Sequence, residues 1–274
     1  MPAFFVSSLD IRETQITLTG DLCHHVRASL RVKPGEDLWL TDEQRRRYRV
    51  RVTYVSQQAV MTEILEQRLG PVETGPPLLL AQALLKGDHM DWVVQKASEL
   101  GVRTILPLVS RHGVVRPQPD RIAAQVARWQ RIATEAAQQS EQWQPPEVLE
   151  PLESRRFFST HKATCSLLLA ERHEAAALAR IPLPSLPSEQ LTVMIGPEGG
   201  WAEEEITLAL AQQCQAVSLG SCILRADTAA VTALSTVQSI GPTGVGSGSG
   251  ERYRRPGLIE MMVPPSPAAH PAVV

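Results

Sequence analysis

Two glycine-bearing segments hold the side chains with the most chemical potential. The first is Leu191-Thr192-Val193-Met194-Ile195-Gly196-Pro197-Glu198-Gly199-Gly200-Trp201, with Glu198 inside the turn and Glu203, Glu204 and Glu205 just beyond it. The second is Ser218-Leu219-Gly220-Ser221-Cys222-Ile223-Leu224-Arg225-Ala226-Asp227-Thr228-Ala229-Ala230, in which Arg225 and Asp227 flank a small alanine. Each reads as a buried strand that breaks on glycine and leads into a helix. Two such loops side by side at the carboxyl edge of a parallel sheet would form a ligand pocket. Backbone N–H groups at a helix start attract phosphate. Here an incoming phosphate would meet Glu198, Glu203, Glu204 and Glu205 and no lysine, and neither the Walker nor the dinucleotide fingerprint is present. The pocket suits a ligand without phosphates, with room for positive charge. S-adenosylmethionine, an adenosine carrying a sulfonium and an amino group, has those properties. Arg225 lies just ahead of a helix N-terminus, where the dipole gives a cation no advantage. Asp227 or Thr228 can cap that helix.

The elements that must position these loops follow from the pattern of apolar residues. Residues 78–84 read as a buried strand. A helix over 88–100 follows, with Asp88 as cap, Met90, Val93, Val94, Ala97 and Leu100 on one face, and Gly101 as its stop. Residues 105–108 form the next strand, and Ile122, Val126, Trp129, Ala133 and Ala136 mark a longer helix that fades near Ser140. A further strand spans 166–170. Alternation of this kind predicts an α/β domain over 78–240, with a parallel sheet covered by helices.

Residues 1–72 have a different texture, with strand-length alternation at 37–41, 48–52 and 60–65 and no convincing helical stripe. A small β barrel is the simplest reading. Arg47, Arg49 and Arg51 alternate with Tyr48, Val50 and Val52, so a strand here buries the second set and projects the guanidinium groups from one face. With Arg45 and Arg46 they make either a charged edge strand or a surface for phosphates. Gly70-Pro71 and Gly75-Pro76-Pro77 mark a linker. Residues 241–274, rich in Gly, Ser and Pro, are expected to be a flexible tail.

The formal net charge of −2 and the 43% hydrophobic content make no global case for nucleic acid or membrane. Cys23, Cys165, Cys214 and Cys222 are scattered and suggest neither a disulfide framework nor a zinc site, so no metal is expected and reduced core thiols in a cytoplasmic protein are. Residues 1–8 lack a basic region followed by a long apolar one. No apolar run reaches the roughly 18 residues of a membrane helix.

The two opening segments resemble the signature loops of the bacterial 16S rRNA uridine-N3 methyltransferase family, in the SPOUT superfamily. So do Lys86-Gly87-Asp88, Lys96-Ala97-Ser98-Glu99-Leu100-Gly101-Val102 and Glu135-Ala136-Ala137-Gln138-Gln139-Ser140. His25 and Leu30-Arg31-Val32-Lys33-Pro34-Gly35 are similar to its PUA-like RNA-binding barrel. The resemblance implies a trefoil-knotted C-terminal domain, a homodimer, S-adenosylmethionine as methyl donor, and a uridine of 16S ribosomal RNA in the small subunit as substrate. On that reading Arg225 stabilises charge developing on the base and Glu198 orients substrate or cofactor. The backbone of Leu169, Ile195, Gly196, Gly199, Leu219, Gly220 and Leu224 holds the cofactor, while Arg31, Arg45, Arg47, Arg49, Arg51 and Lys86 meet RNA. The chain departs from the family at Ala3, Gln142 and Cys222, where arginine is usual, and at Asp42-Glu43, where the family has an Asp-Gly hairpin. The alternative is a non-catalytic RNA-binding or ribosome-assembly factor that keeps the fold.

Overall fold

Strand-length alternation builds the first sheet. In the computed structural model, which describes residues 3–170 and 175–241, it begins with β1 (Ala3–Phe5), β2 (Ile11–Arg12) and β3 (Gln15–Thr19). Helix α1 (Gly20–Ala28) follows, then β4 (Asp37–Thr41), β5 (Arg46–Val55) and β6 (Ala59–Leu69). The strand order is β1-β4-β5-β6-β3-β2, with β1 parallel to β4 and the other pairs antiparallel. Tyr48, Val50 and Val52 are buried as their spacing predicts, against Leu38, Leu40, Ile16, Leu18 and Val60. Helix α1 is a correction to the reading of residues 1–72. Its only buried residues are Cys23 and Val26, three apart, and two contacts are too short a stripe to register as periodicity.

The arginines beside that core already have partners. Arg51 Nε lies 2.9 Å from Asp37, and Arg49 lies 3.8 Å from Asp37 and 3.5 Å from Glu66. Arg45 pairs with Glu73 at 2.9 Å and donates to the Pro71 carbonyl at 2.7 Å. Arg47 turns toward the segment after the long helix of the second sheet. It donates to the carbonyls of Glu141 and Gln142 at 3.1 and 2.9 Å, and its guanidinium sits 4.0 Å over the Trp143 ring. A cation on an aromatic face contributes about 0.5–2 kcal/mol, so Arg47 helps fasten the first sheet to the second.

The second sheet comprises β7 (Leu78–Ala83), α2 (His89–Glu99), β8 (Thr104–Val109), α3 (Ile122–Gln139), β9 (Glu147–Val148) and β10 (Leu152–Glu153). The chain continues through α4 (Ser154–Thr160), β11 (Cys165–Leu169), β12 (Ala176–Ala177), β13 (Leu191–Ile195), α5 (Glu203–Ala211), β14 (Gln215–Ser218) and α6 (Ala226–Ile240). The order is β10-β8-β7-β13-β11-β14-β12, with β9 also on β8, and every pairing is parallel. All residues of β7, β11 and β13 are buried, because helices cover both faces; such strands read as continuous apolar runs. Helix α2 ends as expected: Gly101 has φ 75°, and Val102 N–H reaches back to the Ala97 carbonyl at 3.0 Å, a left-handed cap that glycine adopts without strain.

The second glycine segment is not a strand. The strand is β14, one step earlier, with Val217 in register with Leu169; at Gly220 the chain takes φ 135° and Ile223 is 69% exposed. β14 lies on the far side of β11 and β13 from β7. Yet α6, which follows it, packs on α2, which follows β7, with Ala229, Ala230, Ala233, Leu234 and Val237 sharing a core with Met90, Val93, Val94 and Ala97. The loop from 219 to 225 therefore carries the chain back across the carboxyl ends of β11 and β13. The expected tail lies outside the described residues except for Gly241.

Candidate active site

That crossing closes a cavity of about 570 Å³ at the carboxyl edge of the sheet. Its wall comes from Leu169 and Ala170 after β11, Ile195 to Trp201 after β13, and Ile223 to Ala226 ahead of α6, with His112 opposite. The β13 loop is set by close backbone approach. A Cβ on Gly196 would stand 3.2 Å from the Trp201 indole, and one on Gly199 would stand 3.1 Å from His112 Cβ and 3.3 Å from its carbonyl. Trp201 Nε1 is buried and has no partner among the described residues.

The acids around the loop divide by role. Glu203 lines the cavity, and Glu198 is exposed on its wall, where it accepts the Lys86 backbone N–H at 3.3 Å. It thereby joins the loops after two neighbouring strands. Glu205 is not the surface carboxylate its place in a helical first turn suggests. It is 1% exposed and accepts from Arg111 N–H at 3.0 Å, from Ala202 N–H at 2.8 Å and from the Ser154 hydroxyl. The Ala202 bond is half of a capping arrangement; the other two tie α5 to the loop bearing His112 and to α4.

Arg225 is the N-cap residue of α6 and its side chain is 72% exposed. Its Nη2 lies 3.2 Å from His89 Nε2, and His89 Nδ1 lies 2.7 Å from Asp227 Oδ2. Asp227 Oδ1 accepts the Thr228 N–H at 2.7 Å, so Asp227 sits in the first turn, not at the cap. Burial raises the Asp227 carboxyl pKa, but the Thr228 and His89 hydrogen bonds and the Arg225 charge outweigh it and hold it below the ordinary aspartate value. Lys86, Gly87, Asp88, His89, Trp92 and Asp227 line a second, shallower depression.

Of the residues read from sequence, the structure brings Leu169, Ile195, Gly196, Glu198, Gly199, Leu224 and Arg225 around the cavity. Leu219 and Gly220 are not on its wall, and Lys86 lies in the neighbouring depression. Arg31 is exposed with φ 54°, Arg47, Arg49 and Arg51 lie on β5 of the first sheet, and Arg45 lies in the turn ahead of it. Three cysteines are buried, but Cys222 is exposed. His112, Trp201 and His89 had no assigned part in the sequence reading. A lone histidine at a helix start or in a loop gives no spacing signal, and only the β7–β13 pairing and the return of α6 bring His89 to the site.

A parallel sheet with an acid-rimmed, backbone-walled cavity at its carboxyl edge, and Arg225 on its wall, defines an α/β protein with a ligand-sized cleft at the strand ends. The chain belongs to the RNA methyltransferase family, whose model, described as an RNA methyltransferase domain, matches residues 73–238. It is 34% identical over 239 residues to ribosomal RNA small subunit methyltransferase E of Synechocystis, covering 86% of this chain and 76% of that one. Among solved structures it resembles a methyltransferase of Legionella pneumophila in complex with S-adenosylmethionine, with TM-score 0.80, 29% identity, and 87% and 97% of the two chains covered. It also resembles ribosomal RNA small subunit methyltransferase E of Neisseria gonorrhoeae bound to S-adenosylmethionine, with TM-score 0.77, 31% identity, and 88% and 98% covered.

Proposed function

We propose that the protein transfers a methyl group from S-adenosylmethionine to N3 of a uridine in 16S ribosomal RNA of the small subunit. The observation that carries this reading is the cavity itself. Glycine backbone and Leu169, Ile195 and Leu224 form its apolar wall, Glu198 and Glu203 give it negative charge, and Arg225 stands at its mouth. These residues fit S-adenosylmethionine, since a cationic ligand is favoured and the buried Trp201 N–H awaits an acceptor. The bound cofactor supplies an electrophilic methyl group on a sulfonium. The protein holds and orients: Leu169, Ile195, Gly196, Gly199 and Leu224 fix the ligand, with Leu219 and Gly220 behind them as the crossing loop. In-line displacement rewards such positioning. Arg225 points a cation at the base oxygens, where negative charge grows as N3 loses its proton.

Around that chemistry the reading has the N-terminal sheet acting as a PUA-like barrel, with Arg31, Arg49, Arg51 and Lys86 meeting RNA phosphates and Arg45 and Arg47 fixing the sheet in place. The return of the chain across β11 and β13 supports a trefoil knot. A homodimer acting in the cytoplasm completes it; no helix of the described residues is long and apolar enough to cross a membrane.

Mass spectrometry of 16S ribosomal RNA from cells with and without the gene tests the substrate. One N3-methyluridine should disappear on deletion, and an unchanged nucleoside pattern would sink the assignment. Gly199→Ala tests the cavity. Its added methyl meets the His112 backbone, so calorimetric titration should show S-adenosylmethionine binding weakened about tenfold, the equivalent of roughly 1.4 kcal/mol. Wild-type affinity would mean that this loop does not grip the cofactor.

A further inference from the structure

We infer that His89, held by Asp227, is the base that takes the N3 proton of the target uracil, and that Arg225 must leave its Nε2 first. The inference rests on the methyltransferase reading above. An ionised aspartate only accepts, so the 2.7 Å contact from Asp227 Oδ2 makes Nδ1 the protonated nitrogen. A guanidinium only donates, so the 3.2 Å contact from Arg225 Nη2 requires a lone pair on Nε2. Together the partners select one neutral tautomer, with its basic nitrogen facing the residue at the cavity mouth. The hydrogen bonds that keep the Asp227 carboxyl ionised also prepare it to stabilise an imidazolium.

The place is right for the substrate. The His89 side chain is partly exposed in the depression beside the cavity, and Trp92, 41% exposed, lies in the same depression. An exposed indole is a stacking platform for a base. The charged groups facing His89 are Asp227 and Arg225 from the start of α6, and Lys86 and Asp88 of its own loop; Glu198 follows through the Lys86 N–H. The cavity contains a second imidazole, His112. No described residue hydrogen-bonds its ring, so none of them fixes its tautomer.

A uracil imide keeps its proton at neutral pH, so a base is needed for methylation at N3. Entry of the uracil draws the Arg225 guanidinium onto the base oxygens and exposes Nε2. The N3 proton passes to Nε2. The electron pair it leaves on nitrogen forms the new bond to the methyl carbon, and the pair of the broken carbon–sulfur bond stays on sulfur, which becomes a neutral thioether. Asp227 balances the imidazolium until water removes the proton.

The test compares wild type with His89→Gln. Glutamine at 89 keeps an oxygen to accept from Arg225, so positioning survives and proton acceptance is lost. Single-turnover methylation at saturating donor and RNA should rise with pH in wild type. In His89→Gln the rate should fall about 100-fold or more and the rising limb should vanish, with S-adenosylmethionine affinity within twofold by calorimetry. Nitrogen-15 spectra of histidine-labelled protein give a readout independent of turnover: neutral His89 should be the Nδ1–H tautomer, and Asp227→Asn combined with Arg225→Ala should release it to a mixture. A rate for His89→Gln within about threefold of an active wild type, or an Nε2–H tautomer in the wild-type spectrum, overturns the inference alone. A wild-type protein that binds the donor yet methylates no uridine N3 overturns the function beneath it as well.

Discussion

Replacing Arg225 with alanine should lower the single-turnover methylation rate about 10²–10³-fold, the cost of removing one donor aimed at developing charge. Donor binding should change little. The side chain is 72% exposed at the cavity mouth, and the part of Arg225 that the fold uses is its backbone, whose carbonyl accepts the Ala229 N–H at 2.7 Å at the start of α6. Alanine keeps that bond. It also frees His89 Nε2, so any loss of rate reports the missing cation and not a blocked base. Lysine at 225 should recover part of the rate, because it restores charge but not the planar fork that can meet two oxygens. If alanine methylates at the wild-type rate while calorimetry shows normal donor affinity, Arg225 has no part in the chemistry.

What the sequence made legible was the content of each strand and the chemistry of each loop; what it hid was their order in space. β7, β11 and β13 are apolar runs whatever their neighbours, and Gly101 stops α2 by a local rule, so both could be read from residue types. The second glycine segment reads as a strand that breaks on glycine, but the strand ends at Ser218, the residues after it form a loop that must cross two strand ends, and no periodicity records a crossing. His89 is silent for the same reason. Its partners lie 136 and 138 residues away, and only the return of α6 to α2 makes them neighbours. The arginine run shows the opposite failure. Its alternation correctly identified the face away from the core of the first sheet, but charge patterning along one strand could not reveal that Arg47 is claimed by the carbonyls of Glu141 and Gln142. Gln142 is also one of the positions where the resemblance expects arginine, so here it is the backbone of a departing residue that serves the packing.

Glu205 should prove to be the most stability-critical acid of the site, although in sequence it is one of three consecutive glutamates. Its neighbours Glu203 and Glu204 are exposed, and a carboxylate there gains only the few tenths to about 1 kcal/mol of a helix dipole. Glu205 is buried with three donors on two oxygens. Alanine would strand the N–H groups of Arg111 and Ala202 away from water, at about 1–3 kcal/mol each, and leave a cavity besides. Denaturant unfolding should therefore show a loss of about 3–5 kcal/mol for Glu205→Ala, and under about 1 kcal/mol for Glu204→Ala. Glutamine is the sharper probe. It keeps an oxygen for Arg111 and Ser154 but sets an amide N–H₂ against the Ala202 N–H, so a loss of about 1–3 kcal/mol is expected. The effect should reach the site, because the Arg111 bond holds the segment whose next residue, His112, packs on Gly199. Cofactor affinity should fall in the alanine variant even at temperatures where it is fully folded. A Glu205→Ala protein with wild-type unfolding and wild-type affinity would mean that the His112 loop is held by its other contacts, and that the carboxylate is buried without being needed.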